Sequence, residues 1–71
     1  MNKQQLQSRH VTDAAGTLTT AGCLILAAHA HGQQPVVIAA LPPRATSAER
    51  RRILAEAWQC PATVEWMRNG S

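Results

Sequence analysis

The sequence contains no tyrosine and no phenylalanine, and its only aromatics are Trp58 and Trp66. A core must therefore be assembled from Leu, Ile, Val and many alanines, each small side chain burying little area at about 25 cal/mol per Å². Acidic residues are equally scarce: Asp13, Glu49, Glu56 and Glu65. Asp13 opens a stretch of turn composition, Glu49 is placed to cap a helix, and Glu56 is spaced to face water beside Arg52. No acid–base pair is left over, no nucleophile stands beside a histidine, and no glycine-rich phosphate loop occurs. The expectation is a protein that is not an enzyme and takes no cofactor.

Cysteine is limited to Cys23 and Cys60, with no Cys-x-x-Cys. Both are expected to be buried thiols, with a disulfide between them left open. His29-Ala30-His31 has metal-like spacing on a strand but no evident third ligand, so no metal site is expected. Long hydrophobic runs are also missing. The charge-free stretch 14–43 is broken by Gly16, Gly22 and Pro35, and its unbroken apolar piece, residues 23–28, falls far below the ~20 residues of a membrane span. The opening MNKQQLQSRH has no apolar segment after its lysine, unlike a secretory signal. A cytoplasmic location without membrane contact is the expectation.

What the chain does have is 71 residues that are 45% hydrophobic, with net charge +3. This reads as a single domain over residues 8–68, with loose tails at 1–7 and 69–71. So short a chain buries roughly 60% of its unfolded surface, which favours a second subunit as a source of extra burial. Six of the seven basic residues are arginine, a balance that raises nucleic acid as a partner.

Along the chain, residues 8–12 read as a short strand, 13–16 as a turn and 17–20 as β structure. Residues 22–30 admit either a helix, from their alanines and leucines, or a strand. A strand pairs naturally with the β-branched run 35–41 across a short Gly-containing link, with Gly22 as a bulge. Pro42-Pro43 ends that strand. Thr46-Ser-Ala-Glu49 is a capping box, predicting a helix over 47–59 with Ile53, Leu54, Ala57 and Trp58 as its apolar stripe. Pro61 closes the helix, and residues 62–67 alternate as a last strand. The fold class is α+β: a small ββαβ domain, an antiparallel sheet with one amphipathic helix packed on one face.

Two features carry the functional reading. Neither face of the predicted hairpin bears a charge, yet a single helix can cover only one of them. A sheet open to water on one side should be polar there. The N-terminal segment, a second copy or a host protein must cover the other side. The second feature is Arg50-Arg51-Arg52 at a helix start, where each cation opposes the helix dipole by on the order of 0.3–1 kcal/mol. An anion would reverse that penalty, held by the first amides of the helix, Thr46, Ser47, Arg44, Arg50 and Arg51. The plainer alternative is that these arginines are simply solvated. Trp58 reads as core; Trp66 reads as core or, with Arg68, as a secondary contact for a partner or a base.

The strand Gln34-Pro-Val-Val-Ile38, the pair Pro42-Pro43 and the segment Cys60-Pro-Ala-Thr-Val-Glu-Trp66 together resemble small orphan proteins of bacteriophages and prophages. The resemblance implies a mobile-element origin and a protein that binds a host protein or nucleic acid; it brings no activity or site residues. The sequence thus points to a small interaction protein, dimeric or bound to a host protein through its apolar sheet face. Nucleic-acid binding through the arginine cluster is the alternative.

Overall fold

The apolar run after Gly22 is extended rather than coiled. The computed structural model describes residues 3–31 and 34–67, in the order α1 (Lys3–Thr20), β1 (Leu24–His31), β2 (Gln34–Ala40), α2 (Ser47–Trp58) and β3 (Thr63–Trp66). The fold class is α+β as expected, but the arrangement differs from ββαβ in three ways.

First, residues 3–20, read as the end of a tail, a strand at 8–12, a turn at 13–16 and β structure at 17–20, are one helix, α1. Val11, Ala14 and Leu18 are buried, and their i, i+3, i+7 spacing puts them on one helical face. That face outweighs the poor helix propensity of Gly16 and the four threonines. Gly22 ends α1 instead of forming a bulge. Its φ of +94° supports a Schellman motif, in which the Cys23 amide donates to the Leu18 carbonyl (2.9 Å) and the Gly22 amide to that of Thr19 (2.9 Å).

Second, the sheet is mixed. Its order is β1-β2-β3, with β1 antiparallel to β2 and β3 parallel to β2. Because α2 lies between β2 and β3, the chain returns to the starting end before β3 begins, which is the geometry of a parallel crossover.

Third, two helices cover one face. Val37 and Ala39 of β2 are fully buried and share one cluster with Val11, Ala14 and Leu18 of α1 and with Ile53 and Ala57 of α2. The molecule measures 40 × 22 × 15 Å, and its smallest extent has room for one helix layer on one sheet, which pack about 10 Å apart, and for nothing beyond.

Candidate functional site

Register decides which residues face the helices. Residues directly opposite in a sheet share a face, so Ile25 (opposite Ala39), Val64 (opposite Val37) and Trp66 (opposite Ala39) join the buried side. The other side carries Leu24, Ala27 and His29 of β1, Val36, Ile38 and Ala40 of β2, and Thr63 and Glu65 of β3. Strict alternation would have grouped Ile25 with Ala27 and His29. A bulge between Ile25 and Ala27 shifts the phase and sends Ile25 to the core.

Apart from Ala40, which is buried at the end of β2, the second side has no cover among the described residues. Leu24 is 62% exposed and Leu26, at the bulge, 50%. Ala27, His29, Thr63 and Glu65 are exposed, and Val36 and Ile38 are only half-buried. The N-terminal segment, expected as one means of shielding this face, lies on the opposite face beside α2.

The arginine-bearing helix start is built as its sequence indicates. The Glu49 amide donates to Thr46 Oγ1 (3.1 Å) and the Thr46 amide to Glu49 Oε1 (3.1 Å), completing the capping box. Hydrogen bonding to the carboxylate from the Thr46 amide first and the Thr46 hydroxyl second, with a smaller contribution from the nearby Arg52 charge, holds the Glu49 carboxyl below its ordinary range. Arg44, Thr46, Ser47, Arg50 and Arg51 are all exposed. Arg50 occupies the line of the apolar stripe, but burial on α2 begins only at Ile53. The Arg50 amide is bonded to the Thr46 carbonyl and the Glu49 amide to the cap. Of the four amides from Ser47 to Arg50, only those of Ser47 and Ala48 remain for an incoming anion. Glu49 already supplies negative charge at this end.

Trp58 is not core: it is 88% exposed. With Leu54, Pro35, Pro61 and the half-buried Trp66 it lines a groove of about 690 Å³ between α2 and β3. Trp66 packs against the core, while Arg68 lies outside the described residues. A second groove, about 700 Å³, runs between α1 and α2 past Thr12, Gly16, Glu49, Arg52 and Glu56. Asp13 also lines it, so that three carboxylates and Arg52 border the groove without gathering as a metal site.

Cys23 and Cys60 are free thiols, the first buried and the second half-buried. Desolvation, with the Glu56 charge as a smaller cause, raises both pKa values and disfavours the reactive thiolate. Among the described residues no three His, Cys, Asp or Glu side chains gather as a metal site, and no helix is long and apolar enough to cross a membrane. Comparison with known proteins returns no matching family profile, no matching curated protein and no matching solved structure.

Proposed function

We propose that this chain is a small non-enzymatic interaction protein, of phage or prophage origin, that docks protein through the uncovered face of its sheet. The observation that carries the reading is the apolar character of that face. Leu24, Ala27, Val36 and Ile38 lie together on it without a covering element among the described residues, where a solvent-facing sheet side is ordinarily polar.

A photo-crosslinking amino acid at position 24, compared with one at position 56 on the helix layer, tests it. Covalent protein adducts, with the chain itself or with another protein, are expected from position 24 and not from position 56. No adduct from position 24, either in the purified protein or in bacterial extract, overturns the reading.

Nucleic-acid binding is the second reading, favoured by the exposure of Arg44, Arg50 and Arg51 on and just before α2. It requires an affinity for mixed DNA or RNA that falls steeply with salt and collapses in the Arg50→Ala, Arg51→Ala double variant. No binding at low salt removes it.

A further inference from the structure

We infer that the occupant of the open sheet face is a second copy of this chain, joined face to face by a half-turn about an axis running along β2. The inference rests on the proposed interaction role of that face and names its partner.

Charge segregation is the first argument. Every described charged residue except Glu65 lies on a helix or in the segment before α2. Two sheets meeting at their open faces would leave both arginine-bearing helices on opposite outer surfaces. Two copies of charge +3 thereby associate with most of that charge kept apart. A polyanionic partner, by contrast, would seek the helix layer and leave the sheet bare.

Area is the second. Three strands spaced ~4.8 Å apart and up to eight residues long at ~3.3 Å each present roughly 14 × 26 Å. Because β2 has seven residues and β3 only four, the face itself covers about 300 Å² of that rectangle. With side-chain relief that is about 400 Å² per copy and about 800 Å² in all, the size of a weak, reversible contact. The result is four layers, helix–sheet–sheet–helix, with the two inner faces about 10 Å apart.

The position of Glu65 selects the axis. Glu65 and Ala27 both flank Ile38, on opposite sides of β2. A half-turn about β2 lays β3 of one copy over β1 of the other, so each Glu65 falls near Ala27 of the second copy, one pair from its His29. A half-turn about the perpendicular in-plane axis would instead lay β3 on β3 and bring the two Glu65 carboxylates toward each other, an unfavourable like-charge approach.

Sedimentation and light scattering across the micromolar range test the proposal. The apparent mass is expected to rise from 7.7 kDa toward twice that value as concentration increases. Ala27→Glu, an exposed position whose replacement should leave the circular dichroism unchanged, is expected to weaken the dimer about tenfold or more. Glu65→Lys added to Ala27→Glu is expected to recover it, and Trp58→Ser to leave it unaffected. A chain that stays monomeric overturns the inference; adducts to a different protein from position 24 would then leave the interaction reading standing, and their absence would remove both. A dimer insensitive to Ala27→Glu, or lost in Trp58→Ser, places the contact elsewhere and also overturns it. A dimer weakened by Ala27→Glu and not recovered by Glu65→Lys overturns the half-turn about β2.

Discussion

α1 contains a glycine and four threonines in 18 residues and has no acidic residue in its first turn. α2 is 12 residues rich in alanine, arginine and glutamate, opened by a complete capping box. Yet α1 contributes Val11, Ala14 and Leu18 to the core, while α2 buries only Ile53 and Ala57 and leaves Trp58 in water. The helix with the weaker local code is thus the one held by packing; the helix with the stronger local code leans least on the sheet. Helical state and burial are separable, and in this chain the two are divided between two elements.

The sharpest way to break that contrast is Leu18→Ala. Leu18 is one of the two largest fully buried side chains, and its truncation is expected to cost about 2–5 kcal/mol, a large share of a small domain's stability. Urea unfolding followed by circular dichroism should show the whole transition shifting as one. A variant that loses α1 alone, with α2 and the sheet intact, would show that the core does not couple the two helices.

Thr46→Ala addresses α2, and its expected cost is about 1 kcal/mol. The same change removes the Thr46 hydroxyl, the second cause of the lowered Glu49 pKa, and keeps the backbone amide that is the first, so that carboxyl should move part of the way back toward its ordinary value by NMR. Since the folded-state pKa of Glu49 lies below its unfolded value, the associated stability is present above the unfolded pKa and is lost as pH falls through the folded one. The stability gap between parent and variant should therefore narrow on acidification. A gap independent of pH would mean that the cap hydroxyl acts without the carboxylate.

The smallest effect tests whether propensity still matters in α1. A Cβ at Gly16 meets nothing within 4 Å, so Gly16→Ala should stabilise by about 0.5–1 kcal/mol. A measured loss of stability would mean that α1 needs its glycine for a reason other than space.

Local signals explain what the sequence reveals. β2 is bounded by Pro35 and the Pro42-Pro43 pair; α2 begins at the residue after Thr46; β3 follows Pro61. Each is marked by side chains that act on their own backbone, and each boundary lies within a residue or two of its predicted place. α1 was hidden because its stabilising residues act across space on the sheet, while its glycine and threonines speak locally for turn and strand. The parallel pairing of β3 was legible in principle, since a strand–helix–strand order calls for a crossover. The phase shift at Ile25/Ala27 was not, because no glycine marks it. Of the candidate site, the uncharged surface of the β1–β2 hairpin was readable from strand alternation, with some residues assigned to the wrong side. The exposure of Trp58 was not, since a tryptophan on an apolar stripe ordinarily faces inward.

The irregularity in β1 also bears on whether the proposed pairing would stop at two copies. A sheet grows lengthwise when a newcomer can lay its backbone rung by rung along an outer strand. Here the longer rim is kinked by an unpaired residue and the opposite rim, β3, offers only four residues. A sticky broad surface bounded by two poor ladders favours stacking that stops at a closed pair over a ribbon that extends without limit.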